Sequence, residues 1–339
     1  MHSISGLSSP EIKQLLTKEK IPTYRSKQLI DWIYKKHIFQ WQDMSNIPKE
    51  DQKKLSEIFS VFSIKPVDKL ISSKDQTVKV LFQTNDNKCF ETVLLNDNNR
   101  KTLCVSSQIG CNMGCRFCAT GQIGLTRNLY VAEIVEQYLY FSLENNIANI
   151  VFMGMGEPLQ NYDNVLKAIS ILDFNANFSA RRITISTCGL VPQMKKLARE
   201  KLPIKLAISL NACTDKQRQQ LMPIGKIHRI GSLISAIKYF TQETGNRVTI
   251  EYVLLRDIND DEQSAKNLIK ITKNINCNFN LIQYNPVDKL GFKDSTNSRI
   301  QQFKYWLVRD RKTVSIRYKR GRDIKAACGQ LAKINLKRR

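Results

Sequence analysis

Three cysteines stand close together in the run Cys111-Asn-Met-Gly-Cys115-Arg-Phe-Cys118. Their spacing allows the three thiolates to turn toward one centre. Thiolates are the usual ligands of iron–sulfur clusters, which commonly take four of them. Three ligands on a 4Fe-4S cluster would leave one iron free for an exogenous ligand, and an open position is what distinguishes a catalytic metal site from a structural one. The loop therefore indicates a catalytic 4Fe-4S cluster.

A structural zinc site is the alternative interpretation of the same loop. Cys104, which precedes Cys111 in the chain, would then supply a fourth thiolate. Structural zinc cysteines usually come as two pairs of the form C-x2-C, and only Cys115 and Cys118 have that spacing. The chain has only 3 histidines, and none lies near this loop. The pattern favours the cluster over zinc.

Positive charge is concentrated at the end of the chain. The formal net charge is +23, and residues 299–339 hold about half of this excess. A lysine-rich genome composition would spread the charge evenly, so we interpret the segment as a local basic surface. Such a surface favours a polyanionic partner, nucleic acid before an anionic membrane.

The remaining composition argues against a membrane or a secreted protein. No apolar run approaches the roughly 18 residues that a membrane-spanning helix needs, and the first ten residues lack the order of a signal peptide. The 9 cysteines are too few and too unevenly spaced for a disulfide scaffold. We expect a cytoplasmic protein with no membrane partner.

Two domains are predicted to position these residues. Apolar residues at helical spacing in 11–18, 26–36 and 49–59 predict a small all-α accessory domain over residues 1–80. Its aromatic residues lie among basic ones and could stack on RNA bases, although such residues more often form the core of a small helical domain.

Residues 81–339 alternate short apolar runs with amphipathic stretches, from 102–107 to 322–332. This alternation indicates an α/β fold of βα units on a parallel sheet. About six such units would curve into a partial (β/α)6 TIM-like barrel, in which the chemistry belongs at the carboxyl ends of the strands. The motifs mostly follow predicted strands, as that fold requires.

The three-cysteine loop, with an aromatic residue before its last cysteine, is similar to the signature of the radical S-adenosylmethionine (SAM) superfamily. Three further segments sharpen the match: Thr102-Leu-Cys104-Val-Ser-Ser-Gln, Phe152-Met-Gly-Met-Gly156-Glu157-Pro158-Leu, and Arg322-Asp-Ile-Lys-Ala-Ala-Cys328-Gly-Gln-Leu. In this order, the four segments resemble the RlmN family of dual-specificity RNA methyltransferases along essentially the whole chain.

The resemblance implies a radical SAM core that uses a 4Fe-4S cluster and two molecules of SAM per turnover. The implied cluster ligands are Cys111, Cys115 and Cys118. The family usually has His where this chain has Asn211; an Asn donates and accepts hydrogen bonds but does not titrate near neutrality. The implied SAM-binding residues are Gly156, Glu157, Ser186, Ser209, Leu210, Asn211 and Asn285.

The resemblance also implies methylation of C2 of adenine, at adenine-2503 of 23S rRNA and adenine-37 of tRNA. Adenine C2 is electron-poor and cannot attack the methyl group of SAM, so the family route passes through a cysteine. Cys328 would carry the methyl group, Cys104 would release the product by forming a disulfide with Cys328, and Glu91 would accept the C2 proton. The Lys and Arg residues beside Cys328 are expected to lower the pKa of its thiol.

The implied partners are 23S rRNA, tRNA and an electron donor such as flavodoxin or ferredoxin, and we expect a monomer. The closest competing interpretation is a Cfr-type enzyme, which methylates C8 of the same rRNA adenine. That branch typically has Ala after the Gly-Met-Gly-Glu motif, where this chain has Pro158. A non-catalytic zinc-containing RNA-binding protein and a radical SAM enzyme acting on a protein or small molecule also compete. The basic C-terminal segment and the Cys104/Cys328 pair argue against the last of these.

Overall fold

The computed structural model describes residues 2–97, 100–287 and 290–333. The strands are β1 His2–Ser3, β2 Phe59–Ser60, β3 Ile64–Ile71, β4 Val78–Thr84, β5 Cys89–Asp97, β6 Arg100–Cys104, β7 Gln108–Cys111, β8 Gly124–Asn128, β9 Ile147–Phe152, β10 Ile183–Thr187, β11 Lys205–Ser209, β12 Val248–Leu254, β13 Cys277–Gln283 and β14 Val314–Arg317. The helices are α1 Ser9–Lys18, α2 Arg25–Ile30, α3 Lys49–Ile58, α4 Ala119–Gln122, α5 Val131–Ser142, α6 Tyr162–Phe174, α7 Val191–Arg199, α8 Asp215–Leu221, α9 Ile230–Thr244, α10 Glu262–Ile271 and α11 Asn297–Arg309.

The main sheet has 10 strands in the order β14-β13-β12-β11-β10-β9-β6-β5-β4-β3. The strands from β6 to β14 in this order are parallel to their neighbours. Helices connect successive parallel strands, and nearly all residues of the central strands are buried or half-buried. The described strands form an open sheet, so the predicted α/β fold with a partial barrel is confirmed.

An antiparallel meander extends the sheet beyond the predicted βα units. Strands β3, β4 and β5 pair in sequence and join the parallel part through β6. The predicted domain boundary after residue 80 falls inside β4, and the division of the chain at that point stays a prediction. The meander places Glu91, in β5, beside the first parallel strand.

The three predicted N-terminal helices are present as α1, α2 and α3, with a π-helical turn at Asp31–Lys35 continuing α2. Trp32 and Tyr34 are buried, whereas Tyr24 is exposed. Two of the aromatic residues that were candidates for RNA stacking therefore form the core of this domain. No described helix is long and apolar enough to cross a lipid bilayer.

The segment 322–332 does not form the predicted amphipathic helix. It consists of turns and irregular chain, and Gly321, Lys325 and Gly329 have positive φ angles of 60°, 50° and 80°. A helix cannot continue through left-handed residues. The chain here follows the surface of the barrel instead, which brings Cys328 to the strand ends.

One buried carboxylate joins the N-terminal domain to the core. Glu136, on α5, accepts hydrogen bonds from the hydroxyls of Ser3 and Ser5, both at 2.6 Å. It also accepts the backbone N–H groups of Ser63 at 2.8 Å and Ile64 at 3.0 Å. Burial raises the pKa of Glu136 to about 7.

We expect Glu136→Ala to lower the free energy of unfolding by at least about 2 kcal/mol, since it leaves several buried donors without an acceptor. The folded-state pKa of about 7 lies above that of an unfolded Glu. The stability that Glu136 contributes therefore falls as pH rises toward 7. Chemical denaturation of the metal-free chain at pH 5.5 and at pH 8 measures both effects.

The matched control is Glu144→Ala. The Glu144 side chain is 79% exposed, and its only ion pair among the described residues is a long one, with 4.0 Å between its carboxylate and the Lys69 ammonium. This variant should change stability by less than about 0.5 kcal/mol. Equal unfolding midpoints for the two variants would contradict the role of Glu136. So would a difference in the free energy of unfolding between wild type and Glu136→Ala that is larger at pH 8 than at pH 5.5.

Candidate functional site

The predicted site residues meet at the carboxyl ends of the parallel strands. Chain segments that leave a parallel sheet at the same edge lie close together in space, which is why barrel enzymes place their chemistry there. At this edge β6 ends at Cys104, β9 leads to Gly156 and Glu157, β10 holds Ser186, β11 ends at Ser209, and β13 leads to Asn285.

A cavity of about 140 Å³ opens at this edge, and we call it the cofactor cavity. The three cysteines of the loop line it. All the predicted SAM-binding residues except Leu210 also line it, and Leu210 is fully buried beside them. The further predicted residues in its lining are Gly156, Glu157, Ser186, Ser209, Asn211, Asn285 and Cys328.

A short hairpin and one helical turn present the three cysteines. Cys111 ends β7, which pairs with β8, and Cys118 precedes α4. The Cys118 N–H donates to the Cys115 carbonyl at 3.1 Å, which closes the loop on itself. Burial raises the pKa of all three thiols, that of Cys111 to about 12. Coordination to a metal is the interaction that would keep them as thiolates.

The donor set fits a cluster better than a single zinc ion. Among the described residues, no three His, Cys, Asp or Glu side chains converge closely enough to hold one metal ion. Thiolates on one zinc must approach to about 3.8 Å of each other, whereas each thiolate of a 4Fe-4S cluster binds a different iron. Cys104, the fourth ligand of the zinc interpretation, does not line the cofactor cavity.

Gly156 and Glu157, which follow β9, are held by close contacts with neighbouring segments. Gly156 has a φ of 102°, and a Cβ placed there would lie 2.5 Å from the Cβ of Gln108. The Glu157 carboxylate accepts the N–H groups of Leu159 at 3.0 Å and Cys188 at 2.8 Å. Burial raises the pKa of Glu157. Only glycine allows the chain to pass this close to Gln108.

Asn285 and Asn211, in the cavity wall, differ in whether their side-chain oxygens have a hydrogen-bond partner. Asn285 has a buried Oδ1 with no hydrogen-bond partner, which leaves an acceptor for a ligand such as SAM. The Asn211 Oδ1 accepts the Val253 N–H at 2.8 Å, so this oxygen is already used by the protein. Asn211 has a φ of 57°. Both His and Asn are enriched at such angles, so replacing the usual His preserves the backbone.

A second cavity, of about 510 Å³, adjoins the first. Its walls include Cys104 and Arg317, and Cys328 lines both cavities. The structure thus brings Cys104 and Cys328, the two predicted catalytic cysteines, to the second cavity. It places Cys328 where this cavity meets the cofactor cavity.

The expected lowering of the Cys328 pKa by nearby cations is wrong. Burial raises the pKa of Cys104 to about 11. Desolvation by the surrounding protein raises the pKa of Cys328 to about 12, although Cys328 is an exposed residue that lines both cavities. For both thiols the opposing charge of Arg317 is the smaller effect. Two of the other cations are paired with acids: Lys319 lies 2.5 Å from Asp294 and Arg320 lies 2.6 Å from Asp97.

Residues 329–333, which we call the C-terminal strap, hold Cys328 in place. The Gly329 carbonyl accepts the Ala119 N–H at 2.7 Å, and the Leu331 carbonyl accepts the Thr120 hydroxyl at 2.5 Å. Asn285 Nδ2 donates to the Cys328 carbonyl at 3.3 Å. The strap is therefore attached to the chain directly after the last cysteine of the loop.

Glu91, the predicted proton acceptor, lines neither cavity. Its buried carboxylate lies 3.0 Å from the Lys79 ammonium. It also accepts the strap N–H groups of Ala332 at 2.9 Å and Lys333 at 3.2 Å. In this arrangement the strap occupies one oxygen of Glu91.

One residue of the cofactor cavity escaped the sequence analysis. Glu251, in β12, lines the cavity and is 3% exposed. A single charged residue inside an otherwise apolar strand is the signal that could have identified it, because a buried charge needs a partner or a function.

Comparison with known proteins agrees with this geometry. Residues 105–269 match the family model of the radical SAM superfamily, and residues 3–61 match that of the ribosomal RNA large subunit methyltransferase N-terminal domain. A Clostridium novyi protein described as "Probable dual-specificity RNA methyltransferase RlmN" is 41% identical, over 98% of each chain. A Thermotoga maritima protein of the same description is 41% identical over 100% of each chain.

Solved structures give the same result. A radical SAM methyltransferase from Sphaerobacter thermophilus superimposes with a TM-score of 0.94 at 39% identity, covering 98% of this chain and 99% of that one. Streptococcus suis SuiB bound to S-adenosylmethionine shares the fold alone, with a TM-score of 0.51 at 15% identity over 68% of this chain and 57% of that one. With this identity along its whole length, the chain belongs to the RlmN family of radical SAM RNA methyltransferases.

Proposed function

We propose that this protein methylates C2 of adenine-2503 in 23S rRNA and of adenine-37 in tRNA, through a methyl group carried on Cys328. The observation that carries the proposal is the position of Cys328, whose side chain lines both the cofactor cavity and the second cavity. A sulfur at this junction can take a methyl group from one side and deliver carbon to a base on the other.

Each cysteine then has one task. The Cys328 sulfur accepts the methyl group of a first SAM molecule by displacement. Cys111, Cys115 and Cys118 would hold the cluster, which with a second SAM would supply a 5′-deoxyadenosyl radical able to take a hydrogen atom from that methyl group. The methylene carbon on Cys328 would bond to adenine C2, and the adduct would then lose the C2 proton to Glu91 and one electron to the cluster. The Cys104 thiolate would attack the Cys328 sulfur, which forms the disulfide and breaks the bond between that sulfur and the methylene carbon. The carbon would keep the electron pair and take up a proton, which gives the methyl group of the product. Covalent catalysis of this kind divides one inaccessible step into several feasible ones.

Glu91 accepts the C2 proton in this scheme. Because Ala332 and Lys333 hold its carboxylate, the strap must release Glu91 before that step. Bound RNA is the event that would displace the strap, since an adenine in folded RNA must leave its stack to reach a pocket. The basic C-terminal segment supports RNA as the substrate class. An electron donor such as flavodoxin or ferredoxin reduces the cluster, and the protein acts as a monomer in the cytoplasm.

The product of the reaction is the deciding measurement. We expect the reconstituted enzyme, with SAM, a reductant and an rRNA fragment, to form 2-methyladenosine, identified by mass spectrometry against C2- and C8-methyl standards. Cys118→Ala and Cys328→Ala should give none. Cys277→Ala is the matched control, because Cys277 begins β13, at the opposite end of the strand from the site.

A C8 product would assign the protein to the Cfr-type reaction. If the protein binds zinc and gives no product, the radical mechanism fails and RNA binding without catalysis is favoured.

Cys104→Ala should trap the reaction halfway, since it removes the sulfur that releases the RNA. We expect a protein–RNA adduct that survives denaturation to accumulate, detected by gel shift after incubation with SAM and reductant. The double variant Cys104→Ala/Cys328→Ala should form no adduct. Free methylated RNA from Cys104→Ala at the wild-type rate would refute the resolving role.

Gly156→Ala should weaken SAM binding and lower the melting temperature, because the positive φ alone costs about 1–3 kcal/mol for a residue with a Cβ, and the added carbon meets Gln108. Gly231→Ala is the control: Gly231 lies in α9 with open space around it, and Ala there should leave SAM affinity unchanged and preserve or raise stability. Calorimetry on the two holoenzymes compares them, and equal SAM affinities would show that Gly156 is not required.

A further inference from the structure

Arg218, in α8, is the largest completely buried side chain among the described residues, and it has no assigned role. Two glycines leave room for it. A Cβ placed at Gly189 would lie 3.2 Å from Arg218 Nη2, and a Cβ placed at Gly225 would lie 3.3 Å from Arg218 Cγ. The chain around α8 is therefore built to accommodate this one side chain.

The buried guanidinium has hydrogen-bond partners, but none of them is an anion. Nη2 donates to the Cys188 carbonyl at 2.6 Å, and Nη1 donates to the His228 carbonyl at 3.2 Å. The buried Nε of Arg218 has no partner. In the part of the chain that the structure describes, no carboxylate lies within ion-pair distance of Arg218. A buried cation without an opposite charge is strongly unfavourable, so we expect an anion to complete its surroundings.

The segment that carries Arg218 is attached to the three-cysteine loop. The Leu221 carbonyl, at the end of α8, accepts the N–H of Arg116, which lies inside the loop, at 2.9 Å. Cys188, whose carbonyl binds the guanidinium, lines the cofactor cavity, whereas Arg218 does not. Arg218 therefore lies behind the cavity wall, where it acts on the loop through its charge and not by touching a ligand.

The negative groups that act on Arg218 indicate where the missing anion belongs. Burial lowers the pKa of Arg218, although a guanidinium stays charged near neutral pH. Cys188, Cys115 and Asp215, in this order, oppose the effect of burial. The Asp215 Oδ1 already accepts the Ile230 N–H at 2.7 Å. Of these groups, Cys115 is the implied cluster ligand, so it becomes a permanent thiolate when the loop is occupied.

The three-cysteine loop becomes anionic when it holds a 4Fe-4S cluster, because three thiolates bring more negative charge than the oxidised core brings positive charge. Reduction transfers one electron from the donor to the cluster without a proton, so the occupied loop becomes more negative still. A fixed cation nearby stabilises the reduced form more than the oxidised form. Net charge is one of the factors that set the reduction potential of such clusters.

We propose that Arg218 is the buried counter-charge of the three-cysteine loop and that it raises the reduction potential of the cluster. Arg218 touches neither SAM nor RNA in this role, so it is a positioning residue and not a catalytic one. The proposal rests on the cluster named in the proposed function and not on which RNA, or which carbon of adenine, is methylated.

The test measures the reduction potential of the cluster and not turnover. The cluster-reconstituted holoenzyme, without SAM or RNA, is titrated anaerobically with dithionite and redox mediators, and the reduced cluster is quantified by electron paramagnetic resonance. Arg218→Met and Arg218→Gln remove the charge, and Gln keeps a hydrogen-bond donor. At a given ambient potential, both should lower the ratio of reduced to oxidised cluster about tenfold, which is about 59 mV for a one-electron couple. Arg218→Lys keeps the charge and should restore most of this loss.

The matched control is Arg229→Gln, because Arg229 is an exposed cation immediately before α9. Water and salt screen its charge, so its removal should leave the potential unchanged. Melting temperatures with and without the cluster give a second measurement. The two neutral variants should lose more thermal stability in the holoenzyme than in the metal-free chain, because only the holoenzyme contains the anion that Arg218 balances.

Three results would overturn the proposal. Neutral variants with the wild-type potential would show that the charge does not act on the cluster. A potential of Arg218→Lys as low as that of Arg218→Met would assign the effect to the hydrogen bonds of the guanidinium. Neutral variants that fail to fold even as metal-free chains would make Arg218 a structural residue of the chain itself.

The same experiment separates this proposal from the proposed function. If the potentials shift as expected but the wild type methylates no RNA, only the proposed function fails. If the wild type assembles no redox-active cluster, both fail.

Discussion

The hydrogen bond from the Ala119 N–H to the Gly329 carbonyl joins the two halves of the site. Ala119 follows the last cysteine of the cluster loop, and Gly329 follows the cysteine proposed to carry the methyl group. This backbone contact, 2.7 Å long, helps to hold Cys328 in the lining of the cofactor cavity, together with the bonds from Thr120 and Asn285. Because backbone groups make it, the contact needs no particular side chain at Ala119, whereas the φ of 80° at Gly329 favours glycine there. The surrounding turns must hold both chains in register.

The C-terminal strap extends this constraint to the meander. One end of the strap is bonded to the cluster loop, and the other occupies the carboxylate of Glu91. The strap therefore connects the cysteine loop, the cysteine proposed to carry the methyl group and the proposed proton acceptor within a few residues. Any event that lifts the strap changes the surroundings of all three at once. A segment of turns suits this role better than a helix, since its few backbone bonds can be exchanged for others.

Four buried glutamates show that the role of a buried carboxylate depends on the groups that it contacts. Glu136 accepts hydrogen bonds from serine hydroxyls and backbone N–H groups between domains, and Glu157 accepts them from backbone N–H groups in the wall of the cofactor cavity. Glu91 is balanced by a lysine. Glu251 has no such ion pair among the described residues and only one short hydrogen bond. Glu136 accepts hydrogen bonds from several protein donors away from the site, whereas Glu157 and Glu251 line the cofactor cavity, where a ligand can approach them.

The chemistry of the three-cysteine loop and the alternating α/β pattern were determined by the sequence alone, because both depend on spacing over a few residues. The tertiary structure decided the rest. The structure brings Cys104 and Cys328 to one cavity, desolvates both thiols so that their pKa values rise, and buries Glu251 in the wall of the cofactor cavity. All three features depend on strand register and on packing between distant segments. The turns at 322–332 also depend on tertiary contacts. An amphipathic pattern predicts a helix, but backbone hydrogen bonds to distant segments hold this part of the chain in a non-helical conformation.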